Sequence, residues 1–303
     1  MWKLNQIATI LFVAALSSCA PGDDRAKLTR QQLLSSTATP AMPAPNNAFL
    51  PIGEYADATH EFSGAIVIAD HAMVSDPAEI LPTDIYGKKP QLFPGVTLEF
   101  ISSGGYLIPL ERDIIIPPDS DSYWQIQVSP GRVWSELGDR EMSRASFPFL
   151  LTSIIENESY NGVATFLYDD DTMSSIRYQV VHHLSPFVIQ TRFVAAGQTE
   201  ATYQRDGSDR SAVVRNFERE LAARLPWRDW TDLEHAYGEP LFADFDAGID
   251  PALTLTSGLV IDGEGYVSSM NTPFGPYPYP HEMRHGVWSV TKTAAGMLTL
   301  MRV

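Results

Sequence analysis

The 303-residue chain has a single cysteine, Cys19, so it can form no internal disulfide and must be held together by core burial. It is also poor in basic residues: 21 Lys and Arg against 37 Asp and Glu give a formal net charge of −16 and a pI near 4.7. No basic stripe exists to replace the counterions of a nucleic-acid backbone, so nucleic acid is not expected as a partner. The apolar run near the amino terminus, residues 7–16, is too short to span a bilayer, which takes about 20 residues. No internal repeat is present. What the chain does have is 44% hydrophobic residues, enough for a real core and too many for a disordered protein.

Lys3 followed by the run at 7–16 has the charge and length of a signal-peptide core. The run ends in Leu16-Ser17-Ser18-Cys19, which resembles the lipobox of bacterial lipoproteins, where a small-residue pair precedes a cysteine that is acylated and becomes residue one after cleavage. The resemblance makes residues 1–19 the lipoprotein signal. It implies an exported envelope protein whose partner is the membrane, held through lipid on Cys19. Residues 20–58 are rich in Pro, Ala, Ser, Thr, Asn and Gln, and by composition they are expected to form a flexible tether.

From 59 to 205 the apolar signal comes in short runs separated by Gly, Pro, Asp and Ser: 64–69, 96–101, 106–110, 123–128, 147–154, 163–168, 176–181 and 188–193. This spacing predicts a mainly β, antiparallel β-sandwich or jelly-roll-like unit. Asp169-Asp170-Asp171 falls between two predicted strands without the spaced ligands of a calcium loop, and is expected at a solvated hairpin tip. His182 and His183 are adjacent on a strand, so they point to opposite faces and do not converge on one metal. Tyr123, Trp124, Trp134, Phe147, Phe149 and Phe166 are expected in the core, with an exposed sugar-stacking face as the alternative. Residues 206–239 form a connector. Within it Val213, Val214, Phe217, Leu221 and Leu225 recur at helical spacing until Pro226 stops the helix.

Residues 240–303 carry the chemistry. A hairpin is predicted over 253–270 around Asp262-Gly263-Glu264-Gly265, followed by a proline-stiffened loop at 272–280. His281-Glu282-Met283-Arg284-His285 matches H-E-x-x-H, yet Pro280 precedes it, Gly286 follows, and no Asp, Glu or His comes after His285 as a third ligand. It reads as a polar approach loop, and neither metal nor cofactor is expected. Next comes Trp288-Ser289-Val290-Thr291-Lys292-Thr293-Ala294. Ser289 and Lys292 at i and i+3 share one helix face, so a buried amine could take the hydroxyl proton, while Val290, Ala294, Met297, Leu298 and Met301 make an apolar stripe for a core. With only five lysines against many serines, the spacing alone carries little weight; the context carries the rest.

Gly286 through Gly296 resembles the nucleophile segment of serine β-lactamases and penicillin-binding proteins, especially the class C-like β-lactamase-related serine hydrolases. The preceding hairpin stands where that family has its first two sheet strands. The resemblance covers the last fifty to sixty residues or so and implies Ser289 as acylated nucleophile on a buried helix with Lys292 as its base, acting on a peptide, β-lactam or ester. The family's second motif, Tyr-x-Asn or Ser-x-Asn, and its third, Lys-Thr-Gly or a His-x-Gly variant, follow the nucleophile at a distance, and neither follows Lys292 here. The fold class expected is thus an antiparallel β-sandwich accessory domain followed by the truncated start of an α/β β-lactamase-like domain. Little or no activity is expected of the 303 residues alone. The alternative is a non-enzymatic envelope lipoprotein whose sandwich binds glycan or a protein.

Overall fold

The computed structural model describes residues 27–35, 43–76, 84–153, 158–184, 194–238, 245, 248–249, 254–286 and 290–302. The chain is mainly β. Strands β1 (Ser63–Ile68), β2 (His71–Ala72), β3 (Val74–Asp76), β4 (Leu92–Phe93), β5 (Val96–Ser103) and β6 (Tyr106–Pro109) come first. They are followed by β7 (Trp124–Val128), β8 (Gly131–Trp134), β9 (Ser143–Ser153), β10 (Ser159–Tyr168), β11 (Ile176–Leu184), β12 (Val194–Thr199) and β13 (Ala201–Arg205). Short strands β14 (Trp227–Asp229), β15 (Gly258–Ile261), β16 (Glu264–Val267), β17 (Asn271–Thr272) and β18 (Gly275–Pro276) lie beyond. The helices are α1 (Arg30–Leu34), α2 (Ser211–Ala223), α3 (Trp230–Tyr237) and α4 (Val290–Met301). The run at 188–193 lies outside the described residues.

Period-two patterning accounts for most of these strands. In β5, Val96, Leu98 and Phe100 face inward while Thr97 and Glu99 face water. Eleven strands join in one antiparallel sheet of order β13-β1-β5-β6-β8-β9-β10-β11-β12-β3, with β7 on β9. Only Glu200 separates β12, which pairs with β11, from β13, which pairs with β1. The sheet therefore curls round on itself into a near-barrel, and the two layers of the expected sandwich are opposed walls of one continuous sheet. Between them sits an aromatic core. Phe62 contacts Phe166, Tyr168 and Tyr203, and Phe93 contacts Phe149 and Tyr178. Tyr123, Trp124, Trp134, Phe147, Phe149 and Phe166 are all at most 3% exposed, so these six rings form no sugar-stacking face.

Strand β10 is buried along its whole length, on both faces. Its inner residues Ala164, Phe166 and Tyr168 belong to the main core, while Val163 and Leu167, with Val181 of β11, point outward into a second one. That second core is completed by Leu28, Leu33, Ala48 and Phe49 from the amino-terminal side and by Tyr277, Tyr279 and Met283 from the carboxyl-terminal side.

This overturns the flexible tether expected at 20–58, at least over 27–35 and 43–58. Thr29 and Gln32 form a reciprocal capping box on α1, which turns Leu33 fully inward. Farther on, buried Gln179 accepts from the Ala44 amide (2.9 Å) and donates to the Ala44 carbonyl (2.9 Å) and to Asn46 Oδ1 (2.8 Å). Asn46 in turn donates to Thr272 and to the Gly275 carbonyl. A proline-rich segment that belongs to no strand is thus fixed by two amide side chains, just where it enters a 3-10 turn at Asn46–Phe49.

Candidate functional site

The carboxyl-terminal segment is built as its sequence indicates up to α4. Asp262 and Gly263 both take positive φ (52° and 83°), as a two-residue type I′ turn requires, and they join β15 to β16 in register. Parallel pairing of β14 on the other side of β16 makes a three-stranded sheet. The proline-stiffened loop then returns to the near-barrel. Tyr277 donates to the Gly162 carbonyl (2.9 Å) and Tyr279 to the Ser146 carbonyl (3.2 Å), both buried, and burial pushes both phenol pKa values up.

The receiving socket on the sheet is a β-bulge. Pairing of β10 with β11 slips between Asn161 and Gly162, where Asn161 faces His182 but Gly162 faces Val180. Asn161, 1% exposed, spans the backbone of Arg284, accepting from its amide (3.0 Å) and donating to its carbonyl (2.8 Å). Position 162 admits only glycine, since a Cβ there would lie 2.3 Å from Phe149 Cζ and 2.7 Å from the Gln179 carbonyl oxygen.

The H-E-x-x-H residues occupy a short 3-10 turn, Pro280–Glu282, and the extended stretch after it. They share no helix face. His281 lies beside Trp227 (ring centroids 5.9 Å), whereas His285 lies beside His182 (6.4 Å). Burial lowers the pKa of both, with Arg224 adding to the effect at His281. Glu282, 7% exposed, is engaged by Arg224 at 2.6 Å, and Arg224 also binds Glu220 (2.9 Å), which is paired with Arg112. This chain of ion pairs ties α2 and the 280s loop to the segment that follows β6. Among the described residues no group of three or more His, Cys, Asp or Glu is placed to hold a metal.

Two of the three residues singled out for function, Ser289 and Cys19, lie outside the described residues. Lys292 is described, in the first turn of α4, and it is exposed. Of the apolar stripe expected to enter a core, Met297, Leu298 and Met301 do not do so; the side chains of Val290 and Ala294 lie outside those described. Met297 is 59% exposed, Leu298 60% and Met301 80%, and apart from the adjoining backbone of α4 itself no described atom lies within 4 Å of where a Cβ on Gly296 would sit. The helix is amphipathic in sequence, but nothing described stands opposite its apolar side. The tip at Asp169, Asp170 and Asp171 is a self-capped turn, in which Asp169 accepts from the amides of Asp171 and Thr172.

The residues that dock the carboxyl-terminal loop carry little signal in the sequence. Asn161-Gly162 within a strand pattern was a legible sign of a bulge, whereas Tyr277 and Tyr279 resembled any loop aromatics. No helix among the described residues is long and apolar enough to cross a membrane. No family model, no curated protein and no solved structure matches this chain.

Proposed function

We propose that this chain is an exported lipoprotein, anchored through Cys19, that carries the nucleophile segment of a β-lactamase-related serine hydrolase. One observation carries the hydrolase reading: α4 begins at Val290, directly after Ser289, and Lys292 falls in its first turn. The hairpin β15–β16 upstream supports it. In the proposed reaction Lys292 Nζ, as the free amine, takes the proton of Ser289 Oγ while the oxygen bonds to an amide or ester carbonyl carbon. The leaving group departs with that proton, and water then hydrolyses the acyl-enzyme. Free N–H groups at the start of α4 can face the developing oxyanion.

Lys292 itself is exposed among the described residues. The same exposure favours a second reading, in which α4 is a contact surface of a non-enzymatic envelope protein. Treating cell envelopes with a fluorescent penicillin and with an activated-ester probe separates the two. Label on the Ser289 peptide, lost in Ser289→Ala, supports the hydrolase; label absent, or equal in Ser289→Ala, leaves the contact surface. Palmitate incorporation that disappears in Cys19→Ser tests the anchor separately.

A further inference from the structure

We infer that a cleft between the amino-terminal segment and the turn at 136–140 binds a phosphate-type oxyanion through Arg30 and Arg140. The cleft has a volume of about 900 Å³, and four cationic residues line it in a chain with a net charge of −16: Lys27, Arg30, Arg140 and Arg144. The acids beside them are mostly spoken for. Asp139 receives both its oxygens' bonds from Arg144, at 2.9 and 2.7 Å, and Arg144 also donates to the Leu28 carbonyl (2.8 Å), which seats the amino-terminal segment on the turn. Glu136 accepts from Trp134 Nε1 (2.7 Å) and lies 4.0 Å from Lys27. Glu54 remains as an exposed carboxylate on the wall.

Arg30 and Arg140, by contrast, make no side-chain hydrogen bond or ion pair to any described residue. The Arg30 Nε is buried with no acceptor among the described residues, and a buried donor left unpaired is costly. Arg140 sits on a backbone of φ 61° and ψ −115°, a conformation that residues other than glycine rarely adopt and that costs stability. Arg30, whose Nε lacks an acceptor, and a strained turn carrying Arg140 line the same cleft. Planar guanidinium forks match the paired oxygens of a phosphate group. That group could belong to free phosphate or to a phospholipid. Lys27 is eight residues beyond Cys19, a span of at most about 28 Å, so an anchored chain would hold the cleft near headgroups. The lipid source alone rests on Cys19 acylation.

Isothermal titration of the full chain with inorganic phosphate and with soluble dihexanoyl phosphatidylglycerol tests this, using Arg30→Gln and Arg140→Gly. We expect saturable binding of at least one of the two, weakened tenfold or more in each variant, with Tm unchanged or higher in Arg140→Gly because glycine suits the turn. Equal affinity for both ligands identifies the phosphate group itself; binding of the lipid alone identifies the headgroup with its chains. Absence of binding, or binding undiminished in both variants, overturns the inference. Phosphate binding in a chain that takes up no palmitate would leave the cleft standing while removing the anchor.

Discussion

Asn161→Ala should release the carboxyl-terminal loop from the near-barrel without unfolding the barrel. The side chain makes two hydrogen bonds to one residue's backbone, accepting from the Arg284 amide and donating to its carbonyl. Each such bond is worth about 1 kcal/mol net, so their loss costs ~2 kcal/mol, and more to the extent that the Arg284 groups stay shielded from water. The penalty falls on local docking, because the main core of Phe62, Phe166 and Tyr178 does not involve Asn161. Native-state hydrogen exchange of the Arg284 amide reads it directly: 2 kcal/mol off the opening free energy is about a 30-fold faster exchange. Amides of β9 and β10 should slow or quicken far less. Tyr277→Phe, which removes a single bond to the Gly162 carbonyl, should quicken exchange in the same loop by about fivefold, from ~1 kcal/mol. If Arg284 exchanges at the wild-type rate in Asn161→Ala, the bulge is not the socket, and the loop is held by its tyrosines and ion pairs.

Replacing Arg144 by Met strands the carboxylate of Asp139, which is 1% exposed, and should cost ~3–5 kcal/mol in urea unfolding; adding Asp139→Leu should recover most of the loss. Gly162→Ala pushes a methyl group against the Phe149 ring and the Gln179 carbonyl, for a loss of ~1–3 kcal/mol by the same measurement. The hydrogen bond from Arg112, helped by Arg224, holds the Glu220 pKa at about 2, below its ordinary 4.5. A depressed carboxylate pKa contributes stability that is complete above pH 4.5 and fades as the pH falls towards 2. Glu220→Gln should therefore flatten the stability–pH curve in that window, and an unchanged slope would assign the acid sensitivity to other groups.

The strands of the near-barrel were legible because water-facing and core-facing residues alternate. Val96, Leu98 and Phe100 against Thr97 and Glu99 set the face of β5 without any knowledge of the partner strand. How the sheet closes was not legible, since the step from β12 to β13 at Glu200 is a matter of which strands pair, and pairing leaves no local mark. Composition misled at 43–50. Pro, Ala and Asn predict a loose tether when considered alone, but Phe49 is fully buried and Gln179, 133 residues from Asn46, supplies the missing polar partners. At the candidate site the turn Asp262-Gly263 and the start of α4 were both readable from local chemistry. The apolar stripe of α4 told of amphipathicity but not of what it meets, because burial depends on a partner surface that a helix's own residues do not encode.

We propose that Ser289 forms an acyl-enzyme with Lys292 as its base. Peptide mass spectrometry of the native envelope protein after fluorescent penicillin or activated-ester treatment tests it most directly. The expected result is one adduct, on the peptide containing Ser289, absent in Ser289→Ala and formed more slowly in Lys292→Ala by at least about a hundredfold, the scale of lost general-base catalysis. An adduct that persists in Ser289→Ala, or a protein that takes up neither probe, would contradict it.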